Sequence, residues 1–384
     1  MGEGTLLLEL GAVMLGLGVL SRIAVRLGFS AIPLYLLAGL AFGNGGIYHL
    51  VTADAFIGPA STIGVVLLLL VLGLEYSATD LIGGLRTNAP VGLADLVLNA
   101  VPGLLAAWAM GWGFPSATAL AGVTTISSSG IVAKLLDSVP SAHRQGKSLR
   151  NATVSILVIE DLAVAVYLPI LSAMIANNRG ASALLTTTVA ILGLALALVI
   201  ALKLGHRVSR LVAHPNRETL LLTVLGLAML VGGGAEKVHI SAAVGAFMFG
   251  LALSEHIVDN ARKVLVPLRD LFAAAFFVLV GLRTDPATIP SALVPAGALA
   301  VAGVATKLAT GSLAARRGGL SRLNGLQLGA LLIARGEFSI LIASIAVEGG
   351  LNPRLQALTT TYVMMVAVLG SIAPRIVTNA RKGG

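Results

Sequence analysis

Glu160 and Asp161 stand side by side in an otherwise apolar run from Ala152 to Ala173. A charge at the centre of a bilayer costs from about 2.5 to more than 10 kcal/mol, and such residues mark ion pathways and proton relays. Neighbours on a helix point about 100° apart, so one carboxylate can face a cavity while the other engages a partner helix. Burial in a poorly solvated cleft disfavours the charged form of a carboxylate. A group in that state can hold a proton or a hard monovalent cation, but not both at once. That competition is sufficient for cation/proton exchange. The competing reading is a buried pair neutralised by Lys307 or Arg335, with no part in transport.

Other polar groups lie at similar depth in apolar runs. Lys307 is eight residues from the next loop, too far to reach an interface easily, and an ion pair with Glu160 or Asp161 is expected. A buried lysine can also carry a proton itself. Arg335 and Glu337 flank Gly336 in the middle of another run. Arg335 stays charged and reads as structural support, while Glu337 has Lys307, Arg335 or a crossing backbone N–H as candidate partners. Ser127, Ser128 and Ser129 precede Gly130. Mid-helix serine often bonds back to the carbonyl four residues earlier, but three before a glycine suggest an unwound segment offering oxygens to an ion. Asp95 is a further acid within an apolar run and has no evident partner in the sequence.

These groups need helices long enough to cross about 30 Å of hydrocarbon, or about 20 residues each. Thirteen apolar runs qualify or nearly so: 5–26, 31–49, 56–75, 89–112, 116–136, 150–175, 181–205, 218–238, 240–254, 266–283, 291–315, 323–347 and 357–378. With 57% hydrophobic and 11% charged residues in 384, the chain reads as a polytopic membrane protein in contact with the lipid bilayer. Connections after odd-numbered runs and their flanks hold twenty Lys/Arg, and those after even-numbered runs hold Arg179, Lys237, Arg283 and Arg354. The positive-inside rule then puts the N-terminus outside and the C-terminus in the cytoplasm, most simply across the cell membrane. The net charge of +9 is thereby explained by topology, without nucleic acid.

The two halves of the chain echo each other. Val71-Leu-Gly-Leu-Glu-Tyr-Ser-Ala-Thr79 resembles Leu279-Val-Gly-Leu-Arg-Thr-Asp-Pro-Ala-Thr288, and Gly39–Gly43 resembles Gly245–Gly250. Aligning Gly73 with Gly281 sets an offset of 208 residues, which is seven runs. An odd number of spans between copies inverts the second copy, the arrangement common in secondary transporters. The offset pairs Thr124–Gly130 with Ala334–Glu337, predicting two interrupted helices. Broken backbone at membrane depth is tolerated only when it is buried in protein or lines a cavity.

Other chemistry finds little support. Cysteine is absent, and His49, His143, His206, His214, His239 and His256 fall near run ends or in loops. No phosphate-binding glycine motif is present, so no cofactor and no enzymatic activity are expected. No cleavable signal peptide is visible at Met1–Thr5.

Gly73-Leu-Glu75, Thr124–Gly130, Ile159-Glu-Asp161, Val244-Gly-Ala-Phe through Leu253-Ser-Glu255, Lys307 and Arg335-Gly-Glu-Phe338 together resemble the monovalent cation:proton antiporter-2 family. Its members are Na⁺/H⁺ and Kef-type K⁺/H⁺ exchangers. The resemblance implies thirteen helices, a homodimer, and elevator-like movement of a core against a dimerisation part. It also implies that Asp161 matches the essential ion-binding aspartate, Glu160 the site before it, and Lys307 the basic residue that pairs with the carboxylates. Ser127 and Ser128 match the unwound segment of the first crossing helix. The Arg-Gly-Glu-Phe stretch leans toward the Kef-type branch, whose usual nucleotide-sensing domain is not expected here, leaving a separate cytoplasmic regulatory subunit open.

The expected fold is an all-α membrane protein of about thirteen helices, built as an inverted repeat with two interrupted crossing helices. Residues 5–75 and 218–283 would form the dimerisation part, 181–205 a linker helix, and 89–175 with 291–378 the transport core. The expected function is exchange of K⁺, or Na⁺, for H⁺. Asp161, Glu160, Ser127 and Ser128 would form the ion and proton site, with Lys307, Glu337 and Arg335 as ion-pairing or coupling groups. A sodium-coupled solute symporter is the alternative, ahead of a gated cation channel.

Overall fold

A computed structural model of the protein describes residues 3–27, 30–43, 51–75, 78–137, 144–178, 192, 203, 207–210, 212–237, 242–253 and 255–382. Among them there are helices and no strands. In chain order they are α1 (Glu3–Leu27), α2 (Ile32–Phe42), α3 (Val51–Glu75), α4 (Ala78–Ala109), α5 (Phe114–Thr125), α6 (Ser129–Asp137) and α7 (Arg144–Asn178). Then follow α8 (Arg217–Lys237), α9 (Ala242–Ala252), α10 (Glu255–Arg283), a 3-10 turn (Pro286–Thr288) and α11 (Ile289–Gly318). The last are α12 (Arg322–Leu331), α13 (Glu337–Glu348) and α14 (Arg354–Lys382). Among the described residues, seven helices are long and apolar enough to cross a membrane by themselves, namely α1, α4, α7, α8, α10, α11 and α14.

Twelve of the thirteen apolar runs coincide with these elements. The expected linker, 181–205, lies outside the described residues except for Leu192 and Lys203. Both predicted interruptions are present. The fifth run is α5, an extended break at Ile126–Ser128, and α6; the twelfth is α12, a break from Leu332 to Gly336, and α13. Local chemistry sets their starts. Gly113 and Pro115 open α5, while the Ser321 hydroxyl caps α12 by accepting from the Asn324 N–H. Gly319, at φ 63°, ends α11 in the left-handed conformation that glycine adopts without penalty.

The repeat is visible in the helix bounds. Phe114 and Arg322 open α5 and α12, and Ser129 and Glu337 open α6 and α13, each pair 208 residues apart. Glu75 and Arg283, closing α3 and α10, keep the same spacing. The protein is thus an all-α polytopic membrane protein with an inverted repeat and two interrupted helices.

The chain divides into two compact units. The first comprises Met1–Ala53, Gly84–Ala163 and Val280–Gly384. Its apolar interior includes Val91, Val132, Ile156, Leu328, Leu332 and Ala367. Gly103 of α4 lies on the backbone of Leu120 and Ala121, and its repeat counterpart Gly311 of α11 lies on Gly325 and Gly329 of α12. A side chain at any of these glycines would meet facing backbone, so they let the half-helices approach closely. The second unit comprises Asp54–Gly83 and Val164–Leu279. Leu67, Leu70, Val224, Phe249 and Leu265 form its interior. Gly73 of α3 meets Phe247 and Gly250 of α9, and Gly64 meets Phe272, the residue 208 positions on. All the polar groups singled out at membrane depth belong to the first unit.

Candidate functional site

Two helix breaks create the site. The α5 and α12 half-helices end in carbonyls, and α6 and α13 begin with N–H groups, that have no intrahelical partners. The breaks are joined by one backbone bond, in which the Ser128 N–H donates to the Ala334 carbonyl at 2.9 Å. Arg335 stitches the rest. Its Nε and Nη2 donate to the Thr124 carbonyl at 3.0 and 2.7 Å, and its Nη1 to the Leu332 and Ile333 carbonyls at 2.9 and 3.2 Å. One guanidinium thus satisfies the C-terminal ends of both half-helices, where a cation complements the helix dipole. Ser127, the repeat counterpart of Arg335, reciprocates by lying 2.9 Å from the Leu332 carbonyl, the counterpart of Thr124.

Glu160 and Asp161 approach the break from α7. Glu160 accepts from the Ser127 N–H through Oε2. Its Oε1 lies 3.1 Å from the Ser127 hydroxyl, which has one hydrogen to give either there or to Leu332. Asp161 turns elsewhere and accepts from the Ser129 hydroxyl at 2.8 Å, at the first residue of α6. An anion beside a helix N-terminus is electrostatically favoured. The angular separation expected of helix neighbours therefore divides the pair between two sets of partners.

Lys307 bonds to Glu160 Oε1 at 2.6 Å, as expected of one of the two acids, and also grips Asp95 through Oδ1 at 2.9 Å and Oδ2 at 2.8 Å. Asp161 is not among its partners. Asp95, which had no evident partner in the sequence, is anchored by the Thr310 hydroxyl at 2.7 Å and by Asn99 Nδ2 at 2.8 Å. Asn99 Oδ1 accepts from Thr306 at 2.8 Å and from Arg335 Nη2 at 3.3 Å, which fixes its amide orientation. Asp95, Glu160, Lys307 and Arg335 are 0% exposed, and Asp161 is 1% exposed. Paired and hydrogen-bonded charges are the form in which burial is tolerated.

Arg335 and Glu337 were expected as structural support or as ion-pairing and coupling groups, and among the described residues neither forms an ion pair. The donors of Arg335 go to carbonyls and neutral oxygens. Glu337 instead accepts from the Ser128 hydroxyl at 3.2 Å, close to Gly336, where a Cβ would strike that serine. Ser127 and Ser128 do lie in the break beside Glu160 and Glu337. The sequence reading did not single out Asn99, Thr306 or Thr310. Their signal was present: Asp95 and Asn99 share one face of α4 at i,i+4, and Thr306, Lys307 and Thr310 cluster on α11. The acids Asp95, Glu160 and Asp161 come from the first copy of the repeat and the bases Lys307 and Arg335 from the second, at positions that do not correspond. The two copies have diverged into complementary charge.

Comparison with known proteins agrees with this geometry. A family described as sodium/hydrogen exchanger, transmembrane, matches residues 11–378. The chain is 31% identical over 379 residues to the K⁺/H⁺ antiporter subunit KhtU of Bacillus subtilis, covering 96% of this chain and 93% of that one. It is 27% identical over 373 residues to the ammonium/H⁺ antiporter subunit AmhT of Alkalihalophilus pseudofirmus, covering 95% and 91%. In fold it is similar to the sodium proton antiporter MjNhaP1 of Methanocaldococcus jannaschii, with a TM-score of 0.73 at 15% identity over 97% of this chain and 99% of that one. Interrupted helices, buried carboxylates and a whole-length match together establish that this chain belongs to the sodium/hydrogen exchanger family of cation/proton antiporters.

Proposed function

We propose that the protein exchanges a monovalent cation for H⁺, with K⁺ the preferred ion ahead of Na⁺. The observation that carries this reading is the split of the adjacent carboxylates. Glu160 is tied to Lys307 and the Ser127 N–H, while Asp161 stands at the start of α6 beside Ser129. Asp161 is the carrier, alternately holding a proton or the cation, and the Ser129 hydroxyl offers a neighbouring oxygen. Glu160 and Lys307 set the balance between the two. Ser127 and Ser128 line the break, and Arg335 and Glu337 hold its shape.

The preference for K⁺ draws support from the Arg335-Gly-Glu-Phe338 stretch and from the relative named as a K⁺/H⁺ antiporter subunit. That two relatives are named as subunits supports a separate regulatory partner. The protein works as a homodimer in the cell membrane, with its N-terminus outside and its C-terminus in the cytoplasm. Residues 89–175 and 291–378 form a core that moves, elevator-like, against 5–75 and 218–283.

The test is exchange in reconstituted vesicles. A proton gradient is imposed, K⁺, Na⁺, Li⁺ or NH₄⁺ is added in turn, and internal pH is followed. Dissipation with K⁺ that is lost in Asp161→Asn is expected. Persistence in that variant would remove Asp161 from the role of carrier, and silence toward every cation would end the exchange reading.

A further inference from the structure

α14 carries four polar groups that the exchange scheme does not use. The hydroxyls of Thr359, Thr360 and Tyr362 are fully buried, and among the described residues they have no hydrogen-bond partner. Gln356 Nε2 is also buried without a partner, while its side-chain oxygen lies 3.4 Å from the Ser344 hydroxyl. A hydroxyl inside a helix ordinarily bonds back to the carbonyl four residues earlier. Thr361, Ser371 and Thr378 of α14 do so, each at 2.8 Å. Thr359 and Thr360, immediately before Thr361, do not. Burying a hydroxyl unpaired is costly, and buried polar groups bond to protein or to ordered water.

The four groups follow one path. Gln356, Thr359 and Tyr362 recur every three residues and form a ridge along the helix, and Thr360 lies beside Gln356 one turn on. From Gln356 to Tyr362 the ridge spans about 9 Å of helix axis. Its far end faces α11, since a Cβ at Gly303 would come 3.0 Å from the Tyr362 hydroxyl. The Thr306 hydroxyl lies 3.1 Å from the Gly303 carbonyl and 2.8 Å from Asn99 Oδ1, the oxygen that also accepts from Arg335. The ridge therefore leads from the Arg354 end of α14 to the polar set behind the breaks. Arg335 stands close to Tyr362, but its N–H groups go to carbonyls, Ser127 and Asn99.

We propose that this ridge is a water-binding site, in which ordered waters bridge Gln356, Thr359, Thr360 and Tyr362 and hydrate the breaks from the Arg354 end of α14. A buried water needs about two to four polar partners, and groups three and four residues apart supply them in pairs along the ridge. Each hydroxyl both donates and accepts, so a short file of waters satisfies them all. An apolar ligand would leave the hydroxyls unpaired, and a cation would meet the charge of Arg335 beside Tyr362. The site stands whether or not Asp161 is the carrier.

The experiment exposes the whole chain in lipid nanodiscs to a brief X-ray pulse, in water enriched in heavy oxygen, and reads hydroxyl labelling at each residue by mass spectrometry. Water held against a side chain is converted in place. Tyr362 should therefore take up the label in spite of its burial, well above Phe247, which is buried in the second unit. Thr359→Val should lower the label at Tyr362 several-fold. Thr361→Val, which removes a hydroxyl already bonded to Ala357, should leave it unchanged. Melting gives a second reading. Removing a hydroxyl that is buried dry relieves a penalty, so Thr359→Val and Tyr362→Phe would raise the Tm if no water were bound. With water bound, each should lower the Tm or leave it unchanged. Tyr362 labelled no more than Phe247 overturns the proposal, as does a raised Tm in either variant. Labelling that survives Thr359→Val in full overturns it too. Should a variant not fold, the wild-type comparison of Tyr362 with Phe247 decides by itself.

Discussion

Replacing Arg335 by methionine removes a buried guanidinium whose donors bind the ends of two half-helices. The Leu332 carbonyl would keep the Ser127 hydroxyl as a partner, but the Thr124 and Ile333 carbonyls would lose the bonds that Arg335 supplies. A buried acceptor left unsatisfied costs about 1–3 kcal/mol, so the pair should cost about 2–6 kcal/mol. Removing one charge from the buried, paired set around Lys307 acts in the same direction. A loss near 4 kcal/mol corresponds to roughly a thousandfold change in the folded-to-unfolded ratio, and to a Tm lowered on the order of 5–10 °C for a chain of this size. The assay is thermal unfolding of detergent-purified protein, followed by exchange in vesicles. Arg335→Lys keeps the charge but replaces the planar fork with a point donor. It should therefore recover part of the stability and little of the transport rate. A methionine variant melting within about 1 °C of wild type and exchanging at full speed would refute the idea that this side chain holds the breaks together, since it implies a cost of no more than about 1 kcal/mol.

Other substitutions separate the roles of neighbouring groups. Ser129→Ala removes a hydrogen bond to a carboxylate, worth about 1.5–3 kcal/mol, and should lower the Tm by a few degrees and raise the KM for the cation by roughly tenfold or more. Gly329→Val places a side chain against the backbone of Lys307 and Leu308. Forcing α12 from α11 should cost about 1–3 kcal/mol or more and displace Lys307, read as a lower Tm together with lost exchange. Arg283 and Glu348 form an exposed pair at 3.0 Å, so Arg283→Ala should change stability by less than about 1 kcal/mol and leave the exchange rate unaltered.

Much of the architecture was legible because membrane depth is a harsh filter. Hydrocarbon tolerates long apolar helices and penalises each isolated charge. The spans and the unusual status of Glu160, Asp161, Lys307 and Arg335 could therefore be read one residue at a time. The breaks were legible through repetition, since Thr124–Gly130 and Ala334–Glu337 interrupt runs set 208 residues apart. The pairing of charges was not legible to the same degree. Arg335 read as structural support and Glu337 had several candidate partners, but the sequence could not say that one would meet a set of carbonyls and the other a serine hydroxyl. Helix ends expose acceptors that no side-chain inventory counts, and those acceptors captured the guanidinium.

The amino-acid order alone thus determined that the chain lies in a membrane, that its halves repeat in opposite senses, and that two adjacent acids stand where acids are expensive. These properties depend on local composition and on spacing along the chain. Only the tertiary structure decided that Asp95 meets Lys307 across 212 residues, that Glu160 joins them, and that Asp161 turns to Ser129. Which partner a buried charge finds depends on how closely glycines such as Gly103, Gly311 and Gly329 let the helices pack. Those approaches lie between elements distant in sequence, so the division of labour between the two carboxylates is a property of the packing.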